Sequence, residues 1–88
     1  MNYVIIAGRL CKEVEAGGEV ARFVLAVEDK KQTEIIPCVA FGKNAELLTK
    51  YHKGEKIGIA GKIRTEQYEK DGAKHYATMV IAESIEAA

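Results

Sequence analysis

The chain has no tryptophan, one proline and two cysteines among 88 residues, and each scarcity closes off a class of protein. Cys11 and Cys38 stand far apart, with no Cys-x-x-Cys spacing and no histidine pattern beside either, so neither a disulfide framework nor a metal site is expected. Buried or half-buried thiols are the expectation for both. No apolar run approaches the roughly 18 residues of a membrane helix, so no membrane partner is expected. Charge of one sign is not in excess: 13 basic residues balance 13 acidic ones, which argues against capture of a polyanion by bulk charge. No nucleophile, base and orienting group can be assembled, and His52 and His75 read as surface residues, so no enzyme activity, cofactor or metal is expected. The opening "MNYVIIAGRL" lacks a basic leader and reads directly as a strand, which implies a cytoplasmic protein.

What remains is a globular balance, 48% hydrophobic and 30% charged, in a length that supports one domain over residues 1–88. Any function must therefore sit on the surface of a single module. The charges are unevenly spread: residues 41–76 hold eight basic against five acidic side chains, a local +3 in a neutral chain. Within that segment "RTEQYEKDGAKHY" sets Tyr68 among charges, where a buried tyrosine finds no apolar company. An aromatic so placed is positioned to meet something outside the fold.

Alternation dominates the first half. "YVIIAGRL" and "EVARFVLAVE" are two strands, the second with Phe23, Leu25 and Val27 on one face and Arg22, Val24 and Ala26 on the other. Gly17-Gly18 supplies a hairpin turn between them, and Gly8 marks a bulge or bend. "DKKQT" turns into "EIIPCVAF", with Ile36, Cys38 and Ala40 facing one way and Ile35, Val39 and Phe41 the other; Pro37, lacking an N–H, predicts an edge position or poor pairing. "GKNAELLTKYHKG" reads as a helix over about 44–52, capped by Asn44 and stopped by Gly54, with Leu47 and Tyr51 one turn apart. "EKIGIAGKIRT" alternates again, with Ile57, Ile59 and Ile63 inward and Lys62 and Arg64 outward, and Asp71-Gly72 turns it into a last strand. Three strands, one helix and two strands predict an all-β protein, a five-stranded Greek-key OB-fold barrel with one short α-helix between strands 3 and 4.

"NYVIIAGRL", "VARFVLAV", "PCVAFGKNAELLTKYHKGEKIGIAGKIRT" and "YEKDGAKHYATMVIAESI" together resemble the bacterial single-stranded DNA-binding protein family over nearly the whole chain. The resemblance implies stacking of bases on Phe41 and Tyr68 and backbone contacts from Lys43, Lys53 and Arg64. Lys62 joins them by sharing the outward face of Arg64 and Tyr68. It implies single-stranded DNA as partner in replication, recombination or repair, and a homo-oligomer, a tetramer or dimer. Single strands bind OB folds by stacking worth ~1–3 kcal/mol per base along a cationic groove.

Two alternatives stand beside this: Phe41 as a core residue at a strand end, and Tyr68 paired across its hairpin with Tyr76. Tyr51 and Phe23 are expected in the core, and Tyr3 in the first strand or a subunit contact. The chain also departs from the family pattern. Ile35 stands where the family often has a stacking tryptophan, and Glu66 and Gln67 where it is often basic. The turn over 28–33 is short, "CKEVEAGG" lacks the usual Asp-Pro-Glu, and no acidic tail follows Ala88, so tail-mediated partners are not expected and a smaller footprint is. A second function class, a primosomal-type OB-fold protein-interaction module with weak DNA binding, accommodates those departures.

Overall fold

The computed structural model describes residues 1–88. Strand β3 (Val20–Asp29) uses its alternation as expected: Ala21, Phe23 and Leu25 are buried and Arg22 is exposed. It pairs antiparallel with β4 (Gln32–Phe41) along its whole length, from Val20 opposite Phe41 to Asp29 opposite Gln32. Strand β1 (Val4–Leu10) pairs with β5 (Lys56–Lys70) through Val4–Arg9, then at Arg9 and Leu10 with β3. A Cβ at Gly8 would lie 2.5 Å from the carbonyl oxygen of Ala26, so the glycine permits a close approach where β1 changes partner. Strand β6 (Ala73–Ala87) pairs antiparallel with β5 and, at Cys38 and Val39 only, parallel with β4. The ring β1-β5-β6-β4-β3-β1 is thereby closed into a five-stranded barrel, although β1 from Val4 to Gly8 is paired with β5 alone.

A sixth, three-residue strand, β2 (Glu15–Gly17), is an addition to the expected five. The Gly17-Gly18 turn joins β2 to β3 and not β1 to β3, because β1 runs on to Leu10 and the chain needs residues 11–14 to return. The interior is filled by Leu10, Phe23, Leu25, Ile57 and Ile59, and one end is plugged by Leu48 and Ala45 of helix α1 (Lys43–Leu48), which stands between the third and fourth barrel strands as expected. Tyr51 packs against this core, but Tyr3 precedes β1 and is exposed.

The helix is shorter than its expected span of about 44–52. Thr49, Lys50 and Tyr51 donate N–H bonds to carbonyls three residues back, so the turn tightens after Leu48 and stops. Leu48, not Leu47, faces the core; Leu47 is exposed. Asn44 is not the cap: Gly42 holds that position, and the Asn44 side-chain amide instead donates to the backbone carbonyl of Glu83 at 3.0 Å. That carbonyl belongs to a bulge. Ala60 pairs with Ser84 and Gly61 with Ala82, leaving Glu83 without a partner in the ladder. The skip shifts the phase of β6, so Val80 and Ala82 point inward before it and Ile85 after it.

At Gly61 the two strands lie so close that a Cβ would overlap the Ile81 carbonyl, whereas a Cβ at Gly58 would meet nothing nearer than 3.8 Å. Beyond the Ile63–Val80 pair, the last at which β6 meets β4, the two strands leave the barrel as a two-stranded arm, turned at Asp71 and Gly72, whose φ angles of 54° and 77° suit a type I′ turn. Ile63, expected inward, is half-exposed for this reason: its face is the inner one, opposite Val80, but the barrel has ended above it. The Asn2 side chain continues the β1 ladder there, accepting from the Ile63 N–H and donating to its carbonyl, both at 2.8 Å. Strand β4 lies inside the sheet order, but at Pro37 it is paired with β3 alone and meets β6 only from Cys38 on, so the proline stands at a locally unpaired edge.

Gly61→Ala is expected to destabilise the protein by upwards of about 2 kcal/mol, a fall of roughly 8–16 °C in thermal midpoint for a domain this small. Gly58→Ala should stay within about 0.5 kcal/mol. Thermal melts of the two variants side by side check the contrast, and equal midpoints would contradict it.

Candidate nucleic-acid interface

Register decides which side chains share the outside of the barrel. Arg22 lies opposite Val39, Val39 opposite Ile81, and Ile81 opposite Lys62, one row crossing β3, β4, β6 and β5. Val39 and Ile81 are buried although they face outward, flanked in the row by two long cations whose aliphatic stems suit such apolar neighbours. Two residues along β5 from Lys62 comes Arg64, then Glu66, then Tyr68, all on that face. On β4 the same face carries Phe41 at one end and Ile35 towards the other.

Phe41 is 45% exposed and Tyr68 48%, so each offers ring surface to solvent, and Phe41 is not a core residue. The two are not neighbours. Tyr68 stands opposite His75, and the six residues of β6 from His75 to Ile81, at ~3.3 Å each, put roughly 20 Å between Tyr68 and the Arg22–Lys62 row. Phe41 lies on the far side of that row. The aromatics thus mark two ends of a path, with Arg64, Lys62 and Arg22 between them. Ile35, 60% exposed, adds apolar surface without a ring to stack.

Arg22 and Arg64 make no ion pair, so their guanidinium groups are free to receive an anion. Lys62 approaches the Glu83 carboxylate at 3.9 Å, a long, exposed pairing that an incoming phosphate can replace. Lys43 opens α1 just past Phe41, beside a hollow of about 520 Å³ that it shares with Glu19 and Glu46, carboxylates that offset its charge. Lys53 is not brought to the path: it lies in the turn between α1 and β5, where its backbone N–H donates to the Glu13 carboxylate at 3.2 Å. Five of the six expected residues are therefore on or beside one face, and the sixth is at the barrel end.

Two residues on this face were passed over in the sequence. Arg22 had its signal in the alternation, which set it opposite Phe23. His75 had its signal in the turn: counting back from Asp71-Gly72 pairs Lys70 with Ala73, Glu69 with Lys74 and Tyr68 with His75, so the cross-strand partner of Tyr68 is His75 and not Tyr76. Their rings stack, with centroids 5.5 Å apart and planes at 23°. Away from the face, burial pushes the Cys38 thiol up to about 12, which holds it neutral and inert, and its S–H points to the Ile36 carbonyl at 3.5 Å. Cys11 is a half-buried free thiol. No three histidine, cysteine or carboxylate side chains are grouped to hold a metal, and no helix is long and apolar enough to cross a membrane.

Comparison with known proteins gives a consistent result. Residues 1–88 match the model of the single-strand binding protein family. The single-stranded DNA-binding protein of Clostridium perfringens is 41% identical over 97 residues, spanning 98% of this chain and 65% of its own length. That of Clostridium tetani is 41% identical over 99 residues, spanning 97% and 68%, and single-stranded DNA-binding protein 3 of Clostridium acetobutylicum is 38% identical over 100 residues, spanning 98% and 69%. The chain thus spans about two thirds of the length of the curated relatives it matches.

Proposed function

The chain belongs to the single-strand binding protein family, and we propose that it binds single-stranded DNA without strong sequence preference, in support of replication, recombination or repair. The observation that carries this is the path on the outer face, with an exposed ring at each end and Arg64, Lys62 and Arg22 between. Bases stack on Phe41 and Tyr68 because every base has a π-face, and the cations neutralise phosphates in the intervening stretch. Lys43 extends the cationic path beyond Phe41. Lys53 is assigned to a strand that continues around the barrel end. No catalytic step belongs to this reading, and, for a protein resembling bacterial relatives, the proposed place of action is the cytoplasm.

We further propose a homo-oligomer built through β1. From Val4 to Gly8 that strand is paired with β5 on one edge only, and Tyr3 and Ile5, 66% and 70% exposed, stand at this free edge. An unpaired apolar edge is satisfied by a symmetric copy. The resemblance to the family favours a tetramer of paired dimers. Light scattering at micromolar concentration is expected to return a multiple of 9.7 kDa, four-fold or two-fold, and the monomer mass would contradict it.

Titration with labelled oligo-dT tests the binding itself. Phe41→Ala and Tyr68→Ala are each expected to weaken it by ~1–3 kcal/mol with little change in thermal midpoint. Log affinity should fall with log salt at about −0.7 per phosphate, roughly −2 to −3 per subunit, and Lys62→Ala with Arg64→Ala should flatten that slope while leaving the stacking residual at high salt. Absence of binding at low salt would turn the reading towards the protein-interaction module.

A further inference from the structure

Tyr68 does not stand alone on its arm. One face of its ring is covered by the His75 imidazole, in the offset geometry that aromatic pairs favour, so a base can reach only the other face. The histidine holds the ring in place while its own nitrogens remain unused: they make no hydrogen bond within the chain, and no carboxylate lies within ion-pair distance. An exposed imidazole free at both nitrogens, fixed beside a base-stacking ring, can meet the phosphate of the stacked nucleotide. Protonated, it offers two N–H donors and a charge; neutral, it offers one donor.

Resting on the reading of this face as a single-strand path, we propose that His75 is a further binding residue: with Tyr68 it forms a two-ring platform whose hold on the strand strengthens when the imidazole is charged. The groups around it do not override this. From β5, Glu66 and Lys70 flank Tyr68 on the same face with opposite charges, and from β6 the neighbours on that face are Ala73 and Ala77, which do not titrate. Strand β4 pairs with β6 only at Cys38 and Val39, away from the arm. Histidine changes charge between about pH 5 and 8. A phosphate favours the protonated form, so the complex takes up a proton, affinity rises as pH falls through that range and the gain is lost as pH rises. The other histidine, His52, lies at the barrel end 3.6 Å from the Glu13 carboxylate and serves as the control.

The test measures oligo-dT affinity at constant ionic strength at about pH 5.5 and about pH 8, on either side of the histidine range, with a probe whose thymines and phosphodiesters do not titrate between them. The wild type is expected to bind about two- to fivefold tighter at the lower pH, the scale of an exposed charge contact, with a salt slope steeper by about 0.7. His75→Gln should give the same affinity at both pH values, and His75→Arg, permanently charged and planar, should remove the pH dependence while keeping the tighter binding and the steeper slope. His52→Gln should behave as wild type. A wild type indifferent to pH, or a pH dependence that survives in His75→Gln, overturns the role of His75 while leaving single-strand binding intact. Absence of binding at both pH values overturns the binding reading and this proposal with it.

Discussion

At Gly61 strands β5 and β6 come closer together than any side chain on β5 allows. Only a residue without a Cβ fits against the Ile81 carbonyl, and there the ladder skips Glu83. One long hairpin does two things: its lower part curls into the barrel and meets β4 through Val80 and Ile81, just past the skip, while its upper part projects as an arm. The skip also frees the Glu83 carbonyl, which the Asn44 side chain takes up, tying the plugging helix to the bulge. Without the skip, Val80, Ala82 and Ile85 could not all point inward.

From that register follows the character of the surface. A neutral protein can still hold a polyanion when its cations are aligned on one face, and Arg22, Lys62 and Arg64 are so aligned; their one ion pair is the long contact of Lys62 with Glu83, although Glu66 shares the face beside Arg64 and Glu15 lies opposite Arg22. The stacking rings sit at the ends of this line, more than roughly 20 Å apart, so each contributes to a separate nucleotide. Ring contacts tolerate any base and resist salt; phosphate contacts depend on salt and fix the direction of the strand. The division of labour suits a binder that must accept any sequence.

The period of two made the strands legible, and with them the outward placement of Lys62, Arg64, Tyr68 and Phe41. It did not locate Lys53 relative to the others, because a turn residue has no period and its position depends on Glu13, forty residues away. The end of α1 was hidden for a different reason: nothing local to Thr49–Tyr51 forbids another helical turn, and the carbonyl that claims Asn44 comes from a bulge in the last strand. Ile63 kept its phase but not its burial, since where a barrel ends is a property of strand lengths taken together. His75 was readable by counting from Asp71-Gly72, and Arg22 by the same alternation that named Phe23; each was overlooked because a lone side chain on a strand carries no chemistry until its row is known.

Photo-crosslinking of the wild-type protein to an oligonucleotide bearing iodouracil at a single position, with sequencing of the adducts, shows whether one outer face of the barrel and its arm carries the strand from Phe41 to Tyr68. Crosslinks are expected at Phe41 and at Tyr68 or His75, in separate adducts as the label is moved along the strand. Adducts confined to Tyr3 or Tyr51, on β1's free edge or against the core, would contradict it.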